Sequence, residues 1–80
     1  MSSDELGEDL VITKIFIPKD RVGVLIGKKG DTKRKIEQGL SVKIEVNSSS
    51  GEVILKTRND NADALIRATM IVKAIGRGFS

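Results

Sequence analysis

Gly27 and Gly30 bracket Lys28 and Lys29, and in this short stretch the 80-residue chain concentrates residue types suited to holding an anion. A glycine at each end lets the backbone turn through conformations that a Cβ would obstruct, and lets a sugar-phosphate chain approach closely. Lys28 and Lys29 put two ammonium groups at the tip. Asp31 and Thr32 then read as the start of a helix, whose first N–H groups lie at the positive end of its dipole. A phosphate-bearing ligand is the chemistry that this combination serves.

Spacing argues against a nucleotide-hydrolysing loop. Such a loop needs four residues between its glycines and a Ser or Thr after the lysine. Here only Val24, Leu25 and Ile26 separate Gly23 from Gly27, and Lys29 follows Lys28. The chain has no histidine and no cysteine. The commonest general base, thiolate zinc sites and disulfides are therefore all missing from its repertoire. We assign no catalytic residue, no metal site and no cofactor, and expect a binding module rather than an enzyme.

The formal net charge of +3 conceals an asymmetry. Asp4, Glu5, Glu8 and Asp9 make the first ten residues acidic with no basic residue among them, so all 14 Lys and Arg fall in residues 11–80. Lys19, Arg21, Lys28, Lys29, Lys33, Arg34 and Lys35 crowd into residues 19–35 against only Asp20 and Asp31. A solvated helix face is the bland explanation of such a cluster; its position around a glycine loop favours a polyanion. No apolar run approaches the roughly 18 to 20 residues of a membrane span, and the acidic start is unlike a signal peptide. A cytoplasmic protein with no membrane association is expected.

The elements that must position the loop follow from periodicity. Residues 1–10 offer little to bury and read as a disordered acidic leader, with one domain over residues 11–78. From Val11 to Ile17, β-branched residues alternate, with Val11, Thr13, Ile15 and Ile17 on one face and Ile12, Lys14 and Phe16 on the other. Pro18 ends this strand. Asp20 is expected to cap a helix carrying Val22, Val24, Leu25 and Ile26, which Gly27 stops, and a second helix spans about Asp31 to Gln38. Val42, Ile44 and Val46 alternate with Lys43 and Glu45, the turn Asn47-Ser48-Ser49-Ser50-Gly51 follows, and Glu52 to Arg58 returns with Val53 and Leu55 facing inward. A long helix then presents Ala62, Leu65, Ile66, Thr69 and Val72 as its apolar stripe and stops at Gly76 and Gly78. At 80 residues, one core must suffice.

The run from Val22 through Gly27-Lys28-Lys29-Gly30 to Thr32, followed by Val42-Lys43-Ile44-Glu45-Val46, resembles a type I KH domain over residues 11 to about 75. The resemblance implies an α+β fold of order βααββα: a three-stranded antiparallel sheet with three helices packed on one face. It also implies single-stranded RNA binding, the loop clamping the backbone of about four nucleotides. Carried onto this sequence, Val22, Gly23, Leu25 and Ile26 would line one side of a groove and Ile44 the other. Gly27, Lys28, Lys29 and Gly30 would hold the backbone, with Lys33, Arg34 and Lys43 near phosphates or base edges. Only Phe16 and Phe79 are aromatic, too few for a platform that stacks bases on rings, and a KH groove does not depend on one.

Two departures from the family pattern matter. Lys33 stands where an aliphatic residue is usual, so the groove floor is more polar or Lys33 swings out to a phosphate. Ser41 replaces a usual glycine before the second strand, which should alter the turn and not the fold. The stretches Gly27 to Lys33 and Ala74-Ile75-Gly76-Arg77-Gly78-Phe79 resemble the archaeal and eukaryotic KH proteins that bind near the 3′ end of small-subunit ribosomal RNA during ribosome assembly. Such relatives continue into a further KH-like unit. This narrower resemblance implies contacts with the endonuclease that trims the rRNA and with translation initiation factor 2 alpha. The competing reading is a KH-fold protein-interaction module with weak or no RNA binding. Its expected surface is Ile12, Phe16 and Ile54, which fall together on the sheet face that helices leave uncovered.

Overall fold

The computed structural model describes residues 10–78. Residues 1–9 of the expected leader, with Phe79 and Ser80, lie outside that range, and Leu10, expected as the leader's last residue, instead opens the first strand. Strand β1 (Leu10–Phe16) is followed by helices α1 (Lys19–Ile26) and α2 (Asp31–Leu40), strands β2 (Lys43–Asn47) and β3 (Glu52–Arg58), and helix α3 (Ala62–Gly76). Short 3-10 turns at Lys28–Gly30 and Asn59–Asn61 lead into α2 and α3. The sheet is antiparallel throughout, with β3 central in the order β1-β3-β2. This is the βααββα arrangement of a type I KH fold.

Period-two alternation decides the faces. Val53, Leu55 and Thr57 of β3 are buried with Ile44 of β2, and Val11 and Ile15 of β1 pack against them. From the helices come Val22 and Leu25 of α1 and Leu65, Ala68, Val72 and Ile75 of α3. Leu25, Val53, Leu55, Ala68 and Val72 are fully enclosed. α2 contributes no fully buried side chain, only Ile36 and Leu40 at the margin. Polar ties add to these, from Lys33 and Glu37 to Ile44 and from Asn61 to the Leu40 carbonyl.

Two local outcomes differ from expectation. Helix α1 starts at Lys19, so Asp20 sits within its first turn and makes no capping bond there. The carboxylate still lies where the helix dipole favours it. On α3 the buried stripe runs through Ala68 and Ile75, whereas Ile66 is 60% exposed. Leu65 and Val72 of the expected stripe are buried with them, so the inner face runs through Leu65, Ala68, Val72 and Ile75.

Ser41, standing where the family usually has glycine, adopts a left-handed turn at φ 56° and ψ 46°, and Gly39 lies inside α2. That conformation costs a non-glycine residue roughly 1 kcal/mol, and neighbouring polar contacts hold it. The Ser41 carbonyl accepts from Thr57 Oγ1 at 2.9 Å and from Asn61 Nδ2 at 3.2 Å. Asn61 Nδ2 also donates to the Leu40 carbonyl at 2.9 Å and to Thr57 Oγ1 at 3.0 Å. One amide thus ties the α2–β2 corner to the start of α3.

Candidate nucleic-acid interface

Helix α1 closes on Gly27, whose N–H donates to the Gly23 carbonyl at 2.8 Å. Gly27 then adopts φ 77° and ψ 178°, a combination open only to glycine. A Cβ there would collide with the side chain of Thr32 and come within 2.8 Å of its backbone nitrogen. The first glycine is thus required by the way the chain folds back against the start of α2. Lys29 (φ 56°) and Gly30 (φ 77°) are also left-handed, and the Gly30 N–H bonds the Gly27 carbonyl at 3.1 Å. This sequence of turns holds Lys28 and Lys29 outward, and both are exposed.

The basic cluster divides once its partners are located. Arg21 Nε donates to the Ile75 carbonyl at 2.8 Å and so serves the C-terminal end of α3. Lys35 pairs with Asp31 at 3.2 Å. Arg34 braces the loop from behind, its guanidinium donating to the Lys29 carbonyl at 2.9 Å and lying 3.9 Å from Asp31. Lys33 crosses to β2, donating to the Ile44 carbonyl at 3.2 Å and pairing with Glu37 at 3.3 Å. Among the described residues neither Lys28 nor Lys29 is held in an ion pair. With Arg34 and Asp31 they line an open depression at the loop.

The expected groove residues are therefore placed unequally. Gly23 is exposed on α1, Ile26 is half-buried beside the loop, and Lys28, Lys29 and Arg34 line one depression at the turn bounded by Gly27 and Gly30. Val22, Leu25 and Ile44 require correction: they are 4%, 0% and 1% exposed, so their side chains belong to the core and offer a ligand no surface. They position the loop and strand from within. Lys43 is also corrected, since alternation along β2 turns it onto the uncovered sheet face beside Lys56 of β3, away from Ile44. Lys33 does not swing out toward solvent but lies across the floor.

The uncovered sheet face bears Ile12 (61% exposed) and Phe16 (65% exposed), while Ile54 between the outer strands is half-buried. Their direct cross-strand neighbours are all charged: Ile12 faces Lys56, Phe16 faces Glu52, and Ile54 lies between Lys14 and Glu45. Ion pairs Lys14–Glu52 at 3.3 Å and Lys56–Glu45 at 3.1 Å run beside them. The expected apolar patch is thus broken into islands. A more continuous apolar surface, missed in the sequence, lies where Val11 and Thr13 of β1 meet Leu65, Ile66 and Met70 of α3. Its signal was the excess of large apolar residues on α3 over what one stripe can bury.

The same architecture occurs in proteins of related sequence. A KH domain-containing protein, MJ0443, from Methanocaldococcus jannaschii is 47% identical over 76 residues, covering 94% of this chain and 34% of that protein. The crystal structure of Dim2p from Pyrococcus horikoshii OT3 is 46% identical with a TM-score of 0.83, over 88% of this chain and 43% of that one. The a/eIF2alpha-aDim2p-rRNA complex from the same organism gives 45% identity and a TM-score of 0.84, over 89% and 41% of the two chains. This chain thus spans well under half the length of the relatives it matches. The profile of the KH domain, an RNA-binding module, matches residues 12–74, and with the fold and the glycine-bracketed loop this establishes that the chain belongs to the KH domain family.

Proposed function

We propose that this chain binds single-stranded RNA with the loop Gly27-Lys28-Lys29-Gly30 as the clamp on the RNA backbone. The observation that carries the reading is the loop itself: left-handed backbone fixed by glycine packing against Thr32, with two exposed ammonium groups that no ion pair holds among the described residues while their basic neighbours are engaged. The RNA is small-subunit ribosomal RNA, and the setting is rRNA processing during ribosome assembly in the cytoplasm. Support comes from similarity to an aDim2p crystallised with rRNA and a/eIF2alpha. The same similarity supports translation initiation factor 2 alpha as a protein partner, and the rRNA-trimming endonuclease belongs to the same proposed assembly.

Salt dependence tests the clamp. For single strands each phosphate contact contributes about −0.7 to the log–log slope of affinity against salt. Lys28 and Lys29 alone give a slope near −1.4, and Arg34 as a third contact gives about −2.1. Titrating a short oligonucleotide of ribosomal 3′-end sequence over a range of salt should return a value between these. A slope near zero contradicts the clamp.

A second reading, a protein-interaction module with little RNA affinity, draws on one specific observation. Lys33 and Glu37 occupy the outward backbone groups of Ile44, where a base would otherwise approach. Absence of any oligonucleotide binding in the same titration favours it.

A further inference from the structure

β2 is an outer strand of the sheet, so half of its peptide groups point away from β3. At Ile44 these outward groups are not left to water. The Ile44 N–H donates to Glu37 Oε2 at 2.8 Å, the Ile44 carbonyl accepts from Lys33 Nζ at 3.2 Å, and the two side chains close the ring by their own contact at 3.3 Å. Both side chains come from one face of α2, one turn apart, and are only 30% and 20% exposed. To the strand the pair presents one donor beside one acceptor. An unpaired nucleobase presents the same complement on its Watson–Crick edge.

We propose that Lys33 and Glu37 mask the β2 edge, so that this domain grips the backbone of a strand and reads a base at Ile44 only when the pair is displaced. The proposal rests on the RNA-binding reading above and adds to it which residues set base discrimination. It accounts for Lys33, an unexpectedly polar residue at the groove floor whose ammonium turns inward while Lys28 and Lys29 turn outward. A purely protective role, shielding a strand edge from pairing with other chains, is the rival explanation. The two differ in what happens to base dependence.

The test compares short oligonucleotides of A, C or U with an abasic strand of equal length, against the wild-type chain, Lys33→Ala/Glu37→Ala and Glu37→Gln. In the wild type, base-bearing and abasic strands should bind within about twofold of each other. In the double variant the base-bearing strand that best fits the freed edge should gain about tenfold, two new hydrogen bonds contributing roughly fivefold each at most, while the abasic strand stays unchanged. Glu37→Gln keeps an acceptor for the Ile44 N–H but removes the charge partner of Lys33, leaving it only its bond to the Ile44 carbonyl, and should give a gain of about threefold, roughly half the effect on a logarithmic scale. It also serves if the double variant does not fold. Hydrogen exchange at the Ile44 amide should be slow in the wild type and faster in the double variant. An unchanged ratio of base-bearing to abasic affinity, or an Ile44 amide that exchanges equally fast in both, overturns the mask while leaving the loop clamp standing. If no strand binds the folded wild type or either variant, the clamp falls and the mask with it.

Discussion

Replacing Lys28 and Lys29 together with aspartate should lower affinity for a short single-stranded RNA by about 25-fold or more at about 0.1 M salt. Two lost contacts at about 0.7 each account for about 1.4 logarithmic units at that concentration. Reversal of charge adds repulsion to this. The fold should be indifferent to the change, because both side chains are exposed and neither is held in an ion pair among the described residues. Exposed charges of this kind contribute at most about 1 kcal/mol, so Tm should move by less than about 8 °C. Fluorescence anisotropy and a thermal melt on the same preparation check both halves. RNA affinity close to that of the wild type in a variant that melts normally means that the loop is not the point of attachment.

Gly27→Ala is expected to act in the opposite way, through the fold first. At φ 77° and ψ 178° the added methyl group is strained whatever surrounds it, and it would strike Thr32 at the start of α2. Strain in such a region costs about 1–3 kcal/mol, and relief of the collision must shift either α2 or the loop. For a domain of this size each kcal/mol lowers Tm by about 4–8 °C, so a fall of about 10–20 °C is expected. Gly23→Ala supplies the contrast. A Cβ at Gly23 meets nothing within 4 Å and lies inside α1, where alanine is favoured by about 1 kcal/mol. That variant should melt at or above the wild-type temperature. Equal melting of the two variants would mean that the glycines are interchangeable and that the loop does not fold back on Thr32.

Much of this architecture could be read from the order of residues because its determinants are local. Alternation in Val11 to Ile17 and Glu52 to Arg58 assigned the inner faces, and Pro18, Gly27 and the Asn47–Gly51 cluster marked where elements stop. The Asn47 side chain closes that turn by accepting from the Ser49 N–H at 2.9 Å. Local rules failed where distant parts of the chain decide the outcome. The destination of Lys33 depends on β2 lying beside α2, and Arg21 finds its partner in Ile75, 54 residues away. On α3, Ile66, Met70 and Ile71 compete in sequence with Leu65, Ala68, Val72 and Ile75 for the inner face. Counting apolar bulk favours Ile66, whereas close packing against the sheet favours Ala68. For the site, charge and glycine spacing located the loop, but nothing in a linear pattern distinguishes a lysine free to meet phosphate from one committed to a backbone carbonyl.

In the proposed complex an unpaired RNA strand lies against the Gly27–Gly30 turn. Backbone amide chemical-shift mapping during titration with a short single-stranded RNA tests it most directly. The largest shifts should fall at Gly27, Lys28, Lys29, Gly30 and Asp31, with far smaller ones when a duplex of the same sequence is added. Shifts confined to Ile12 and Phe16 on the open sheet face, or to Ile66 and Met70 on α3, with the loop unmoved, would contradict it.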